Sequence, residues 1–269
     1  MSTSSAPIEI GRVALTVRDI DKVAGFYEAA LGLEPLASDG ATRRLGAGGR
    51  VLLELRADPA ARRASAREAG LFHTAFLMPG RAALARWLVH AAESGLRLQG
   101  ASDHLVSEAI YLADPEGNGI EIYVDRPREE WPHENGELRM ATDPLDLNAL
   151  AASADAPWRG APDGMVVGHV HLQVGAVPGA EAFYVGQLGF EVTTHYPGAA
   201  FYGSGGYHHH LGANVWNSRG AGRRSEGTTG LADLELLADP SEYDRIAVGP
   251  GTALRDPWGT SVTVTRKAA

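Results

Sequence analysis

The segment "GSGGYHHHLGANVW" at residues 203–216 places three histidines side by side, His208, His209 and His210. Imidazole nitrogens bind transition metals and move protons near neutral pH, so the segment suggests a metal site, an acid–base site or a polar stretch of strand. Side chains alternate between the faces of a strand, so His208 and His210 would point one way and His209 the other. At most two of the three can serve one pocket.

The absence of cysteine restricts the chemistry that this chain can perform. None of its 269 residues is a cysteine. Disulfides, thiolate metal sites and cysteine nucleophiles are therefore excluded. Any bound metal must be held by histidine and carboxylate side chains, a donor set that suits Fe(II), Mn(II), Zn(II) or Ni(II).

Charge and hydropathy argue against two classes of partner. The net charge of −9 disfavours nucleic acid. The sequence contains no apolar run near the ~18 residues of a membrane-spanning helix, and its first residues lack the pattern of a signal peptide. We therefore expect no nucleic-acid partner, no membrane insertion and a cytoplasmic location.

An internal repeat sets the organisation of the chain. "GRVALTVRDIDKVAGFYEAALGLE" (11–34) aligns without a gap with "GHVHLQVGAVPGAEAFYVGQLGFE" (168–191), at an offset of 157 residues. A weaker repeat relates "DPEGNGIEIYV" (114–124) to "DPWGTSVTVTR" (256–266). The repeats predict four similar units that begin near residues 9, 71, 166 and 230.

Each unit has the pattern of a strand, a helix and then about three short strands. Asp19 is a suitable N-cap for the first helix, and Gly32 is a suitable residue to end it. The fourth unit matches the pattern less completely, because its helix is short. We predict an α+β fold of four βαβββ modules in two tandem domains. The expected bounds are 1–126 (modules 8–57 and 70–125), a linker at 127–164, and 165–269 (modules 165–218 and 228–266).

The repeated units, the "FYxxxLGxE" helix ends and "DPEGNGIEIY" resemble the vicinal oxygen chelate superfamily of glyoxalases, bleomycin-resistance proteins and extradiol dioxygenases. Its members pair βαβββ modules into a cupped sheet around a metal. The stretches "LFHTAFLMP" (71–79) and "SDHLVSEAIYLADPEGNGIEIYVDRPREEW" (102–131) are similar to the two-domain catechol 2,3-dioxygenase-like subgroup.

The resemblance implies where metal ligands would lie, at one position on the first strand of a module and one on the last. These positions hold His73 and Glu121 in unit two and His169 in unit three, whereas Arg12 occupies the first-strand position of unit one. One complete site forms only if units pair as two with three and one with four. Two histidines and one carboxylate make the facial triad of non-haem Fe(II) oxygenases. His171 lies on the same strand face as His169 and is a competing ligand.

The resemblance also implies substrate-handling residues. In the dioxygenases a histidine and a tyrosine fall between the second histidine ligand and the glutamate, where this chain has His104 and Tyr111. The proton-transfer histidine comes from the module of the first ligand, here unit three. Aligning Gly206 with Gly117 puts His210 on the cavity side. We therefore expect His210 first and His208 second as the proton-transfer histidine, and a structural role for His209. A slip of one residue would reverse that choice.

These residues predict an Fe(II)-dependent extradiol dioxygenase, with Mn(II) as the other ion that the ligands accept. Its partners would be a small aromatic diol and O₂, and association into a homo-oligomer is common in the superfamily. One alternative is a glyoxalase-type isomerase or lyase, which favours two carboxylate ligands and zinc or nickel. The other is a metal-free small-molecule-binding protein, in which His73, His169 and Glu121 would be unrelated in space.

Overall fold

The molecule consists of four units, each with a strand, a helix and further strands. The structure is a computed structural model that describes residues 6–134, 136–246 and 253–268. The first contains β1 (Ile8–Val17), α1 (Ile20–Leu31), β2 (Glu34–Ser38), β3 (Thr42–Ala47) and β4 (Arg50–Ala57). The second contains β5 (Gly70–Leu77), α2 (Arg81–Glu93), β6 (Gly100–Asp103), β7 (Ser107–Ala113) and β8 (Gly119–Asp125). The α+β class and the modular architecture expected from the sequence are confirmed.

A connecting segment and the other two units complete the chain. The connection holds a 3₁₀ turn (Arg128–Glu130), β9 (His133–Glu134), β10 (Glu137–Leu138), β11 (Asp143–Pro144) and α3 (Leu147–Ala151). The third unit contains β12 (Val166–Gln173), α4 (Val177–Tyr184), β13 (Glu191–Tyr196), β14 (Ala199–Gly203) and β15 (Leu211–Asn214). The fourth contains β16 (Gly230–Ala238), α5 (Pro240–Ile246), β17 (Ala253–Arg255) and β18 (Ser261–Arg266). None of the described helices is long and apolar enough to cross a membrane.

The two large sheets pair the units in the way that the ligand positions require. One sheet has the order β11-β6-β7-β8-β5-β12-β15-β14-β13, and the other has the order β17-β18-β16-β1-β4-β3-β2. The first therefore joins unit two to unit three, and the second joins unit one to unit four. Each sheet combines one unit from each of the two expected tandem domains, so the proposed domain bounds stay a prediction.

The helices follow the local signals in the sequence. The side chain of Asp19 accepts a hydrogen bond from the Lys22 amide at the start of α1, and Gly32 ends the helix in the left-handed region at a φ of 66°. The indole of Trp87 on α2 donates to the carbonyl of Ala30 on α1 over 2.9 Å, which ties the two helices together. Apolar side chains from the helices and both sheets then form one continuous core.

The repeated Phe-Tyr and Asp-Pro motifs meet between units three and four. Tyr184 at the end of α4 donates its hydroxyl to Asp256 over 3.0 Å, and both residues are buried. Burial raises the pKa of Tyr184 well above its ordinary value, and the negative charge of Asp256 raises it further. The phenol therefore stays protonated and satisfies the buried carboxyl group as a donor.

An arginine occupies the centre of the sheet that lacks the histidine and glutamate set. The guanidinium of Arg12 on β1 lies 3.6 Å from Glu54 on β4, 3.7 Å from Asp233 on β16 and 3.7 Å from Glu235. Glu54 and Asp233 are buried. The sequence indicates that units one and four have lost the histidine and glutamate ligands. The guanidinium of Arg12 supplies a positive charge at the equivalent position of their sheet.

Replacing Arg12 with leucine should destabilise the fold, because two buried carboxylates lose a cationic neighbour. The expected loss in the free energy of unfolding is about 1–3 kcal/mol, measured by urea denaturation. The matched control is Arg86→Leu, whose partner Asp155 has a side chain 62% exposed; its change should stay within about 0.5 kcal/mol. Equal losses in both variants would show that the Arg12 centre has no special role.

Candidate metal centre and cavity

Three adjacent strands in the middle of the nine-stranded sheet carry the His–Glu–His set. Strand β5 holds His73, β8 holds Glu121 and β12 holds His169. Strand β5 pairs with β8 in parallel and with β12 antiparallel, so residues from units far apart in sequence become neighbours. The ring centroids of His73 and His169 are 5.6 Å apart, well inside the roughly 10 Å limit that one shared metal allows.

The three side chains converge on one point. One Glu121 oxygen, Oε2, lies 2.9 Å from Nε2 of His73 and 3.2 Å from Nε2 of His169. One potential ligand atom from each residue lies within 4.8 Å of the others, and all three residues are buried. His171, the competing ligand, is not part of this group; its ring centroid is 5.0 Å from that of His73. His169 is therefore the β12 residue whose ring nitrogen lies in one group with His73 and Glu121.

The charge of this cluster fits a cation. Burial raises the pKa of Glu121, but the neighbouring His169 and His73 lower it by more, so the carboxyl is ionised. Burial lowers the pKa of His169 to about 4, against the effect of Glu121. In the part of the chain that the structure describes, no arginine or lysine lies within 4.0 Å of Glu121. Nε2 of His73 is buried and lies 2.9 Å from Oε2 of Glu121, but it is not aligned for a hydrogen bond within that part of the chain. A buried carboxylate beside two imidazoles, without an arginine or lysine of the described chain to neutralise it, fits a divalent ion.

His104 and Tyr111 meet beside this cluster, in the same cavity. The hydroxyl of Tyr111 and Nε2 of His104 are 2.5 Å apart, and Nδ1 of His104 donates to the carbonyl of Ala141 over 2.6 Å. That carbonyl can only accept, so the proton sits on Nδ1 and Nε2 accepts from the phenol. Burial raises the pKa of Tyr111 well above its ordinary value, and Glu121 raises it further, which keeps the phenol protonated.

The three consecutive histidines are oriented opposite to the expectation from the sequence. His209 lines the cavity, with its ring centroid 4.2 Å from that of His169, whereas His210 and His208 are fully buried and do not line it. Nδ1 of His210 accepts a hydrogen bond from the backbone amide of Ser204. The assignment of His210 and His208 to the cavity side is therefore wrong in orientation.

The local backbone explains this reversal. Residues 207–210 lie outside the regular strands, since β14 ends at Gly203 and β15 begins at Leu211. Gly205 and Gly206 take positive φ angles of 59° and 70° in the turn between them. The alternation of side chains that holds in a pleated strand does not apply across such a turn, so counting from Gly206 gave the wrong face.

A cavity of about 340 Å³ opens above the three converging side chains. Phe72, Phe201 and Trp216 form an aromatic wall around His171, whose Nε2 is buried without a hydrogen-bond partner among the described residues. No arginine or lysine of the described chain lines the cavity. Phe72 and Phe201 were not predicted from the sequence, in which the signal for Phe72 is its position next to His73.

The geometry predicts one tight divalent-metal site for each chain. Glu121→Gln should weaken Mn(II) binding by more than about 100-fold, because loss of a direct ligand costs at least as much as loss of an outer-shell partner. Calorimetric titration of chelator-treated protein measures the affinity. His195→Gln is the control, since His195 is exposed and pairs with Glu181. Unchanged affinity in Glu121→Gln would place the ion elsewhere.

Comparisons with known proteins agree with this architecture. A model of the Glyoxalase/Bleomycin resistance protein/Dioxygenase superfamily matches residues 9–122. A catechol-2,3-dioxygenase of Bacillus subtilis strain 168 is 38% identical over 254 residues, which cover 92% of this chain and 89% of that protein.

Solved structures share the fold at low sequence identity. Maize glyoxalase I has a TM-score of 0.57 at 15% identity and covers 98% of this chain and 94% of its own. A Bacillus subtilis protein with a provisional dioxygenase name has a TM-score of 0.62 at 15% identity, over 96% of this chain and 84% of its own. The chain thus belongs to the glyoxalase, bleomycin-resistance and dioxygenase superfamily, as its repeats and motifs predicted, and within it to the enzymes that resemble catechol-2,3-dioxygenase.

Proposed function

We propose that this protein is a non-haem Fe(II)-dependent extradiol dioxygenase that cleaves a catechol-like aromatic ring and inserts both atoms of O₂. The observation that supports this most strongly is the convergence of His73, Glu121 and His169 at the base of an aromatic cavity. The 38% identity to a catechol-2,3-dioxygenase along nearly the whole chain supports the same reaction.

The proposed metal ligands are His73, His169 and Glu121. Two neutral imidazoles and one carboxylate suit Fe(II), and Mn(II) accepts the same set. When bound, Fe(II) supplies the electron exchange between the aromatic diol and O₂ and lowers the pKa of the diol hydroxyls. The protein contributes the buried negative charge that retains the ion and a cavity that limits access of water.

His209, Tyr111 and His104 are the proposed substrate-handling residues. His209 lines the cavity beside His169 and takes the proton-transfer role that the sequence analysis gave to His210 and His208. Because Tyr111 directs its proton to His104, the lone pairs on its oxygen remain available to accept a hydrogen bond from a substrate hydroxyl. His104 holds this orientation through Ala141 and also lines the cavity.

The lining of the cavity favours a neutral, apolar aromatic diol. Phe72, Phe201 and Trp216 offer faces and edges against which an aromatic ring packs well. A carboxylate substituent would enter this cavity without a cationic partner from the described lining residues, which costs several kcal/mol. The substrate is therefore proposed to be a catechol with hydrogen or apolar substituents.

A glyoxalase-type isomerase or lyase remains the second candidate, because maize glyoxalase I shares the fold. Such a site would favour two carboxylates, whereas Glu121 is the single carboxylate in the described ligand group. A metal-free binding protein is disfavoured because the three ligand candidates, far apart in sequence, come together. The cytoplasmic location and a homo-oligomeric state stay predictions.

Oxygen uptake by Fe(II)-loaded protein tests the reaction. We expect catechol to be consumed with O₂ in a 1:1 ratio and to give a yellow ring-cleavage product. Glu121→Gln and His73→Ala should lose at least about 10³-fold in turnover, because the ion is no longer retained. Uptake retained in these variants, or absent with every catechol tried, would contradict the proposal, and zinc-dependent isomerase activity would favour the second candidate.

Substituted catechols test the apolar lining. The kcat/KM for 3-methylcatechol should exceed that for 2,3-dihydroxybenzoate by more than about 10-fold, since the carboxylate is desolvated without a partner. Met140→Lys adds a cation to the cavity lining and should narrow this ratio, whereas the uncharged Met140→Gln control should not. A ratio that is the same in both variants would show that charge does not set the preference.

A further inference from the structure

A chain of hydrogen bonds lies behind His209, on the side away from the cavity. Nδ1 of His209 is 2.7 Å from Nδ1 of His208, and Nε2 of His208 is 2.8 Å from Oδ1 of Asp125. Tyr207 and Tyr123 extend the chain: the two phenol oxygens are 2.8 Å apart, and Tyr207 lies 3.1 Å from the same Asp125 oxygen. The mechanism above uses none of these residues except His209.

The chemistry of the groups fixes the direction of these hydrogen bonds. Burial raises the pKa of Tyr207 well above its ordinary value, and Asp125 raises it further, so the phenol is a donor. Tyr207 donates to Asp125, and the hydroxyl of Tyr123 therefore donates to Tyr207. A carboxylate has acceptors only, so Nε2 of His208 must also carry a proton towards Asp125.

The direction then passes through His208 to His209. A neutral imidazole with its proton on Nε2 has a lone pair on Nδ1. Since Nδ1 of His208 accepts, Nδ1 of His209 must donate, and this leaves the lone pair of His209 on Nε2. Nε2 of His209 makes no hydrogen bond within the described residues, and 7% of this residue is exposed, against 0% for His208.

We propose that Asp125 and His208 are positioning residues that hold His209 as the Nδ1–H tautomer, so that Nε2 presents a hydrogen-bond acceptor to the cavity. The functional part of this inference rests on the proposed ring cleavage, in which a substrate hydroxyl donates to that nitrogen. If the proton of neutral His208 were on Nδ1 instead of Nε2, Nδ1 of His209 would have to accept it. His209 would then carry its own proton on Nε2 and present a donor to the cavity. The carboxylate of Asp125 thus controls the hydrogen-bonding character of a ring two residues further along the chain of hydrogen bonds.

Packing holds the relay, meaning the hydrogen-bonded chain from Asp125 through His208 to His209, in this arrangement. His208 lies between aromatic rings, with its centroid 4.1 Å from that of Tyr207 and 5.1 Å from that of Trp131. A hydrogen bond in such a buried site is stronger than in water, and an unpaired polar group there is costly. The His208 ring therefore has little freedom to flip, and Asp125 sets its tautomer. Of the two adjacent histidines, His209 faces the cavity and His208 connects it to the carboxylate of Asp125.

Nitrogen-15 NMR of histidine-labelled protein tests the tautomers directly. Zn(II)-loaded protein is suitable, since Zn(II) is diamagnetic and accepts the same ligands. Long-range proton–nitrogen spectra of the wild type should show His209 protonated on Nδ1 and His208 on Nε2, with signals assigned from His208→Gln and His209→Gln variants. The reverse tautomers in the wild type would overturn the inference without any variant at position 125.

Asp125→Asn is the decisive variant, because its NH₂ group can take the place of Oδ1 and donate to Nε2 of His208. The phenol of Tyr207 then accepts from the same NH₂ group and turns its own proton towards Tyr123, so the direction of the chain reverses. The expected result is His209 protonated on Nε2, with kcat lower by about 10²–10⁴-fold, the range for a catalytic histidine in the wrong tautomer. KM should change by less than about threefold. Asp155→Asn, at an exposed position, is the matched control and should leave both the tautomers and kcat unchanged.

The outcomes separate this inference from the proposed function. Tautomers as expected, in a protein that cleaves no catechol, would support the relay and contradict the ring-cleavage proposal. Ring cleavage with unchanged His209 tautomer and kcat in Asp125→Asn would overturn the relay and leave the proposed function standing. A fall in kcat without a change of tautomer would also overturn it, since Asp125 would then act by another route.

Discussion

A carboxylate buried between two imidazoles is the constraint around which the nine-stranded sheet is organised. Glu121 lies within 3.2 Å of both His73 and His169, and no arginine or lysine of the described chain is close enough to neutralise it. A buried anion without a partner is expensive, so the site is suited to a cation from outside the chain. The same three side chains line a cavity that also holds the aromatic side chains of Phe72, Phe201 and Trp216.

Each of the two large sheets contains buried carboxylates at its centre, and the groups that lie beside these carboxylates differ between the sheets. In the sheet of units one and four, the guanidinium of Arg12 lies among carboxylates that include Glu54 and Asp233. A guanidinium belongs to the chain and leaves no open position for a ligand, whereas a metal ion does. Of these two similar centres, one therefore holds a guanidinium, whereas the other holds Glu121 with no arginine or lysine of the described chain within 4.0 Å.

The parts of the site that were predictable from the sequence lie on regular strands. His73, Glu121 and His169 could be placed because the repeats identify equivalent strand positions, and strand pairing then brings those positions together. His104 and Tyr111 were found from the family resemblance and lie together in the cavity. The pairing of units two and three followed from the ligand positions, since no other pairing completes one site.

The parts that were not predictable depend on irregular backbone and on long-range packing. The orientation of His208, His209 and His210 is set by a turn at Gly205 and Gly206, where a strand-based count has no meaning. The aromatic wall joins Phe72 on β5 with side chains from unit three, which only the assembled sheet brings near it. The link from His209 through His208 to Asp125 likewise joins residues 83 positions apart.

Anomalous X-ray diffraction at the iron absorption edge, from crystals of the Fe(II)-loaded protein grown without oxygen, would locate the ion directly. We expect one strong peak for each chain, about 2.0–2.2 Å from Nε2 of His73, Nε2 of His169 and an oxygen of Glu121. A peak at the three consecutive histidines, or no peak within bonding distance of Glu121, would contradict this expectation.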